Sequence, residues 1–390
     1  MRESEYVGQR AHRSRSIRVL TCEFPESHVS GEETVLLPRM GFALADNLVD
    51  TAGNCCCVWV TDFLKYHSII WGGPPTKNVV PIVRRSCEGL RFLKFANING
   101  RAHAVANSGV VDLATASGGV LSADPMAYVI PSWQARASVM VEQLPEILYR
   151  NIDPREFGPP IPRPRNILAV ALNYQAHVIE SQKEMPAEPA VFAKLASSLC
   201  GPYESVAVPD TCTMVDYEAE VVVVIGKKMR GVAAADAWDY VAGVTAGQDI
   251  SDRFEQRRPP LGQFSLAKSY DTFSPVGPVM ATLDEFSDLD RISIVGRVDG
   301  REVQRGDTSE LIFSISELLA WTCRYVTLEP GDLVFTGTPE GVGSRRTPPL
   351  YLSDGMILET EIPGVGAMRN VVRSVTTERS RTSHMPFDAR

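Results

Sequence analysis

The sequence predicts an α+β protein that is dominated by β-structure. Its clearest strand is the run from Val221 to Ile225, whose β-branched residues are typical of a strand buried on both faces. Residues 90–96 and 101–106 are predicted to form a β-hairpin, because they flank a loop that contains Asn99 and Gly100. The best helix in the sequence, residues 307–325, combines an apolar stripe with a capping box.

Taken in order, the chain divides into four parts. In residues 1–89 neither a helical nor a strand period of apolar residues persists, so this segment is either a poorly ordered extension, which is the prediction, or a small irregular cap. Residues 90–160 are predicted to form a small N-terminal β subdomain and linker. Five prolines between residues 154 and 164 stiffen that linker. The main domain spans residues 161–378, and residues 379–390 are predicted to be a frayed tail.

Each of the two domains has its own predicted elements. In the smaller one, a third strand follows the hairpin at residues 110–113 and a helix is predicted at residues 134–150. In the larger one, the predicted strands are residues 166–172, 190–194 and 333–335, and a helical piece is predicted at residues 233–240.

Composition and charge exclude several classes of partner. With 390 residues, 44% of them hydrophobic and 22% charged, the chain has the composition of a soluble globular protein. Its net charge of -8 includes no long run of one sign, which argues against nucleic acid or an anionic membrane as the main partner. The first thirty residues lack the apolar core of a secretory signal, and no stretch is long enough to span a bilayer. An intracellular, cytoplasmic protein is expected.

The acidic stretch just before the buried run is the strongest chemical signal. Asp216, Glu218 and Glu220 alternate along a predicted strand and should share one face. A solvated strand end would explain a lone acidic pair. Carboxylates at the boundary of a core are costly without a cation, so a divalent metal is the sharper hypothesis.

Two further patterns indicate residues of a functional site. His177 and Glu180 are three residues apart, so a helix there would place them on one face within contact distance. The loop from Thr336 to Gly343 contains three glycines and brings backbone amides close to a ligand, which suits an anion.

Five blocks of the sequence follow one another in a recognisable order. The blocks are Leu172-Asn173-Tyr174 with His177 and Glu180, Asp216 to Glu220, Asp249-Ile250-Ser251 with Arg253 and Gln256, Lys268-Ser269 with residues 271–278, and residues 328–332 with Thr336 to Pro339. In this order they resemble the motifs of the fumarylacetoacetate hydrolase family, whose members act on acylpyruvates, β-diketo acids, oxaloacetate and related dioic acids. The resemblance covers roughly residues 160–373 and implies a mixed, rolled β-sheet and a homodimer.

The resemblance implies a metal site made of three carboxylates. Glu218, Glu220 and Asp249 would hold Mg2+ or Mn2+, with Ca2+ as a further option. Oxygen ligands that leave coordination positions open suit a hard cation that must also take substrate oxygens. Asp216 shares the face of the ligands but is assigned a supporting role.

The resemblance also implies the catalytic and substrate-binding residues. His177 would act as a general base, and Glu180 would orient it. Lys268 would be the catalytic lysine and, with Gln256, would stabilise an oxyanion. Gly337 and Thr338 would contact the substrate.

The leading hypothesis is metal-dependent hydrolysis of a carbon–carbon bond in a 2,4-diketo acid, with water activated by the histidine and an enolate stabilised by the ion. Decarboxylation of a β-keto acid, or keto–enol isomerisation of an unsaturated dioic acid, would use the same ligands. A catalytically silent binding protein on the same fold is the alternative outside enzymes.

Overall fold

The structure is a computed structural model, and it describes residues 93–106, 109–142, 144 and 148–376. The predicted extension at residues 1–89 and the predicted tail at residues 379–390 lie outside the described residues. The strands, in chain order, are β1 Lys94–Ile98, β2 Arg101–Ala106, β3 Gly109–Asp112, β4 Phe157–Gly158, β5 Ile167–Ala171, β6 Ala190–Lys194, β7 Leu199–Cys200, β8 Val206–Pro209, β9 Val215–Asp216, β10 Ala219–Ile225, β11 Val241–Gln248, β12 Ser251–Asp252, β13 Ser274–Ala281, β14 Ser293–Val298, β15 Arg301–Asp307, β16 Leu333–Phe335, β17 Ile357–Ile362 and β18 Gly366–Val375.

These strands form three mixed or antiparallel sheets, which confirms the β-dominated fold class. The largest sheet has eleven strands in the order β3-β2-β1-β13-β11-β10-β16-β5-β6, with β4 beside β1 and β7 beside β13. A five-stranded sheet has the order β15-β14-β17-β18-β8, and β9 pairs with β12. Most pairs are antiparallel, whereas β5 is parallel to β16, β7 to β13 and β8 to β18.

The middle of the large sheet is β10, which lies between β11 and β16 and is antiparallel to both. Val221, Val223 and Ile225 belong to one core cluster, whereas Val222 and Val224 belong to another. All five side chains are fully buried. Since successive residues of a strand point to opposite faces, apolar groups cover β10 on both sides. The prediction of a doubly buried strand is therefore confirmed.

The predicted hairpin is also confirmed. It joins β1 to β2 through Asn99 and Gly100, whose φ angles of 50° and 78° are both positive, as a type I′ turn requires. β1 also pairs with β13, with Phe95 opposite Met280, so the hairpin extends the large sheet.

Helices are short and few in the described chain, and all three predicted helical segments differ from the structure in extent or type. The helix predicted at residues 134–150 ends at Val141; Pro145 follows in the sequence, and a proline disfavours helical backbone before it. The segment predicted as a helical piece at residues 233–240 is a 3-10 helix, Ala234–Tyr240. The α-helices are α1 Leu113–Ala116, α2 Pro131–Val141, α3 Gln175–Glu180, α4 Arg253–Gln256, α5 Phe264–Ala267 and α6 Ile315–Tyr325.

The helix predicted at residues 307–325 begins later than expected. The capping box of Asp307 and Glu310 is present, but it caps a single 3-10 turn. The backbone amide of Ile312 donates to the carbonyl of Asn173, and that of Phe313 donates to the Asn173 side chain, so these residues leave the helical path. A second capping box, Ser314 with Glu317, then starts α6.

No helix of the described chain has the roughly 20 apolar residues that a bilayer crossing requires, since α2 and α6, its longest, have 11 residues each.

A buried aspartate fixes the start of β16, the strand that leads into the glycine-containing loop. The carboxylate of Asp332 accepts from the Asn166 amide at 2.8 Å, from its side chain at 2.9 Å and from the Glu329 amide at 2.8 Å. It thereby ties the beginnings of β5 and β16 together. We expect Asp332→Ala to lower the free energy of unfolding by about 2–4 kcal/mol in urea titrations, because three donors lose a charged acceptor.

Asp354→Ala is the matched control for this change. Asp354 is exposed and accepts one hydrogen bond, from the Ser374 amide at 2.9 Å, so its loss should cost less than about 1 kcal/mol. Equal destabilisation by the two substitutions would contradict the assigned role of Asp332.

Candidate metal centre

Strand register brings three carboxylates together. Glu220 is the second residue of β10, Glu218 precedes that strand, and Asp249 follows β11. Ala219 pairs with Gln248 across the two strands, and the Asp249 amide donates to the Glu218 carbonyl at 2.9 Å. One ligand atom from each of Glu218, Glu220 and Asp249 lies within 4.8 Å of the others, and all three residues are buried. The structure thus assembles the three predicted ligands.

Three buried cations surround the carboxylates. Lys268 Nζ donates to Glu218 Oε2 at 2.7 Å and to Asp249 Oδ2 at 2.6 Å. Lys194 Nζ donates to Asp249 Oδ1 at 2.6 Å and to the carbonyls of Lys268 and Phe273. Arg253 Nη2 donates to Glu218 Oε1 at 2.6 Å. Each of the three cations therefore has a carboxylate partner, which a buried charge requires.

Asp216 lies outside the group of Glu218, Glu220 and Asp249 and supports it indirectly. Its carboxylate accepts from Arg253 Nε at 2.8 Å and from the backbone amides of Tyr217, Gly343 and Ser344. Each of its oxygens thus accepts two hydrogen bonds. Asp216 positions Arg253 and the loop that carries Gly343.

The carboxyl groups of Glu218 and Glu220 have pKa values shifted in opposite directions. Burial would raise the pKa of Glu218, but the positive charges of Lys268 and Arg253 outweigh it and hold that pKa far below its ordinary value. Burial raises the pKa of Glu220 well above 4.5, and the negative charges of Asp249 and Glu218 raise it further. Glu220 is the acid of this cluster that lacks a cation of its own.

The donor set fits a divalent metal ion. When all four are ionised, the buried carboxylates of Asp216, Glu218, Glu220 and Asp249 exceed the three cations Lys194, Arg253 and Lys268 by one negative charge, which a bound cation would balance. The three clustered acids offer only oxygen atoms, as hard cations prefer. A cation would favour the ionised form of Glu220.

The loop after β16 orients Glu220. The Gly337 amide donates to Glu220 Oε2 at 2.7 Å, and Gly337 has a φ of 103°. A Cβ there would lie 2.8 Å from Asn173 Cβ, so both the angle and the space favour glycine. The Thr338 hydroxyl donates to the Ala219 carbonyl at 3.0 Å and accepts from Gln304 Nε2 at 2.7 Å. The substrate contacts of Gly337 and Thr338 stay predictions.

His177 and Glu180 form the expected pair. Both lie on α3, and Nδ1 of His177 is 2.7 Å from Glu180 Oε1. The Gly341 amide donates to the same carboxylate, at 3.1 Å from Oε1 and 3.0 Å from Oε2. A carboxylate can only accept there, so Nδ1 carries the proton and Nε2 is left as the basic nitrogen. His177 is also close enough that its positive charge would lower the pKa of Glu218.

The remaining predicted residue, Gln256, lies at the edge of the cluster. Its Oε1 accepts from Arg253 Nη1 at 3.0 Å. Its amide nitrogen makes no hydrogen bond among the described residues and remains available to a ligand.

Sequence reasoning missed the parts played by Lys194 and Arg253. Lys194 is the last residue of the strand predicted at residues 190–194. A lysine at the end of an otherwise apolar strand is the sequence feature that could have suggested a buried role. Arg253 lay inside a recognised block without an assigned role. Both side chains are almost fully buried, and each contacts one of the three clustered acids.

Known proteins are similar to this chain in sequence and in fold. Residues 166–373 match the model of the fumarylacetoacetate hydrolase C-terminal family. Human mitochondrial oxaloacetate tautomerase FAHD2A is 42% identical over 216 residues, which cover 55% of this chain and 69% of that protein.

Solved structures of related proteins have a similar fold. A Mycobacterium smegmatis protein designated HpcE-like superposes with a TM-score of 0.66 and 40% identity, covering 72% of this chain and 99% of the other. Maleylpyruvate hydrolase from Sphingobium sp. SYK-6, solved with manganese(II) and pyruvate, has a TM-score of 0.60 and 28% identity over 72% of this chain and 99% of its own. The chain therefore belongs to the fumarylacetoacetate hydrolase family, whose members include hydrolases and tautomerases.

Proposed function

We propose that this protein is a divalent-metal-dependent hydrolase that cleaves a carbon–carbon bond in a 2,4-diketo acid. The observation that carries the proposal is the pair of His177 and Glu180 beside the acidic cluster. Glu180 is fixed by the Gly341 amide, so it holds the histidine in one tautomer with Nε2 unprotonated. A general base of this kind is what water attack on a carbonyl requires.

Glu218, Glu220 and Asp249 would hold Mg2+ or Mn2+. A bound ion would supply Lewis acidity to the 2-oxo acid end of the substrate. The maleylpyruvate hydrolase solved with manganese(II) and pyruvate supports both the metal and the class of ligand.

The side chains of this protein account for the proton transfers. Nε2 of His177 takes a proton from water as its oxygen attacks the 4-carbonyl carbon, and Glu180 stabilises the resulting imidazolium. The third N–H of Lys268, not used by Glu218 or Asp249, and the free amide of Gln256 can donate to the tetrahedral oxyanion. The C3–C4 bond then breaks, which releases a carboxylic acid and a pyruvate enolate, and the imidazolium returns its proton to C3.

Keto–enol tautomerisation of oxaloacetate is the second candidate. It is favoured by the 42% identity to oxaloacetate tautomerase FAHD2A. Tautomerisation needs a base to move a proton at C3 but no water attack, so the same histidine could serve it. The homodimer and the cytoplasmic location stay predictions.

A substrate panel tests the proposal. Protein treated with EDTA and reloaded with Mn2+ should release pyruvate from acetylpyruvate or a longer acylpyruvate, as followed by the loss of enol absorbance. The metal-free protein should lose at least about 99% of this activity, since the ion contributes several kcal/mol to the barrier reduction. Turnover of oxaloacetate enol without cleavage of any acylpyruvate would favour the tautomerase, and silence on all substrates would overturn both.

A further inference from the structure

A cavity lies at the edge of the large sheet that is opposite to the acidic cluster. Its volume is about 790 Å³, and the residues that line it include Arg165, Lys228, Arg230, Tyr325, Val326 and Glu329. Cavities of about 300–1,000 Å³ are typical of small-molecule sites. Among the described residues of its lining, none is a predicted catalytic, substrate-binding or metal-binding residue.

Strand register places this cavity away from the metal centre. The first residue of β16 lies between the end of β10 and the start of β5. Arg165 precedes β5 and Lys228 follows β10, so both lie at this edge of the sheet. Glu220 lies at the other end of β10, and the remaining length of that strand spans about 16 Å. A small molecule in the cavity would therefore lie outside the metal centre.

A short β-bridge turns two cationic side chains towards the cavity. Met229 and Leu328 are bridged by two amide-to-carbonyl hydrogen bonds of 2.8 and 3.0 Å, and both side chains are fully buried. Successive residues of an extended chain point to opposite sides, so Lys228 and Arg230 point away from the core that contains Met229. Both are exposed, and both line the cavity.

The cations of the cavity outnumber its acids. Lys228 Nζ lies 3.1 Å from Glu329 Oε1, and Glu329 is the one acid among the described residues of the lining. The side chains of Arg165 and Arg230 make no hydrogen bond or ion pair with any described residue. Three cations and one carboxylate leave two positive charges unbalanced. Each of the two guanidinium groups offers five N–H donors in a planar arrangement that matches phosphate oxygens.

An exposed aromatic ring lies in the same cavity. Tyr325 is 63% exposed, although its ring centroid is 4.7 Å from that of Trp321. Both residues belong to α6 and are four positions apart, so the contact restricts the tyrosine ring. A ring that is already restricted can stack on a planar ligand group with little further loss of side-chain entropy. Val326 adds exposed apolar surface beside it.

We propose that this cavity is a second binding site, separate from the metal centre, and that its ligand is a nucleoside diphosphate. Arg165, Lys228 and Arg230 would bind the phosphate groups, and Tyr325 would stack on the base. Two unbalanced positive charges favour a ligand with several negative charges over one with a single carboxylate. The aromatic and apolar surface beside them favours a nucleotide over inorganic pyrophosphate. This inference goes beyond the proposed hydrolysis and does not depend on it.

Calorimetry with ADP, inorganic pyrophosphate and adenosine tests the inference. The full chain is loaded with Mn2+, freed of unbound metal and titrated in about 0.15 M salt, which screens distant surface charges. ADP should bind most tightly, pyrophosphate more weakly and adenosine most weakly. Arg165→Gln and Arg230→Gln should each weaken ADP binding about 10-fold or more, as the loss of charge-assisted hydrogen bonds implies. Tyr325→Ala should weaken ADP binding about fivefold or more and leave pyrophosphate binding unchanged.

Arg324→Gln is the matched control, because Arg324 is an exposed arginine next to Tyr325 that does not line the cavity. This variant should keep the affinity for ADP, and so should Glu220→Gln. Absence of ADP binding at millimolar concentration would overturn the inference, as would equal weakening by Arg324→Gln and the two cavity variants. Equal affinities for ADP and pyrophosphate that Tyr325→Ala leaves unchanged would overturn the assignment of a nucleotide. Failure of the proposed hydrolysis would appear separately, as absence of acylpyruvate cleavage with ADP binding intact.

Discussion

Glu220→Gln should strongly weaken metal binding and activity while leaving the metal-free protein as stable as before, or more stable. The glutamine keeps an oxygen for the Gly337 amide and removes the charge that lies buried near Asp249 and Glu218. Mn2+ affinity should fall by about 100-fold or more, since even residues behind metal ligands change affinity 10- to 100-fold. Turnover with limiting Mn2+ should fall about 1,000-fold.

The pH dependence of the same variant provides an independent measurement. Folding raises the pKa of the Glu220 carboxyl above 4.5. The stability that this group contributes to the metal-free protein is therefore fully present below pH 4.5, and it is lost as the pH rises through the raised pKa. Metal binding should release the proton of Glu220, more of it at pH 5.5 than at pH 8, as measured by calorimetry in buffers of different ionisation enthalpy. Glu220→Gln should eliminate that proton release and the associated loss of stability.

Asp216→Asn is the control for this prediction. Asp216 is equally buried but stands outside the group of three, so its loss should lower the free energy of unfolding while Mn2+ still binds. A Glu220→Gln protein that binds Mn2+ normally would remove Glu220 from the proposed site.

The strands were predictable because their signals are local. The β-branched run of β10 and the Asn99-Gly100 turn each depend on residues adjacent in sequence, and both were confirmed. The start of α6 was not, because it depends on hydrogen bonds from Ile312 and Phe313 to Asn173, which lies 140 residues from Phe313. The prediction used the capping box of Asp307 with Glu310, whereas α6 starts at the box of Ser314 with Glu317, and local capping chemistry alone cannot distinguish the two.

The site shows the same division between local and distant information. Residue alternation could place Glu218 and Glu220 on one face, whereas Asp249 joins them only through the register of β10 with β11. The family resemblance supplied that third ligand. Lys194 reaches Asp249 from 55 residues away, and no sequence pattern connects the two. Buried charges such as this lysine are set by tertiary neighbours, so their roles become visible only in the folded chain.

His177→Asn should slow acylpyruvate hydrolysis much more than oxaloacetate decarboxylation. Asparagine can keep an N–H near the position of Nδ1 for Glu180, but it has no counterpart of Nε2, the proposed base. Acylpyruvate cleavage should fall by about 10²- to 10⁴-fold, the usual contribution of a general base. Decarboxylation of oxaloacetate, which needs an electron-withdrawing cation but no activated water, should change by less than about 10-fold.

Two further measurements make this result specific to proton transfer. Mn2+ affinity should be unchanged, since His177 is not among the three clustered acids. Glu180→Gln, which retains an acceptor for the Gly341 amide but not the charge, should show a smaller loss. If His177→Asn cleaves acylpyruvates at the unmodified rate while Glu220→Gln does not, the histidine activates no water and hydrolysis must proceed from another base.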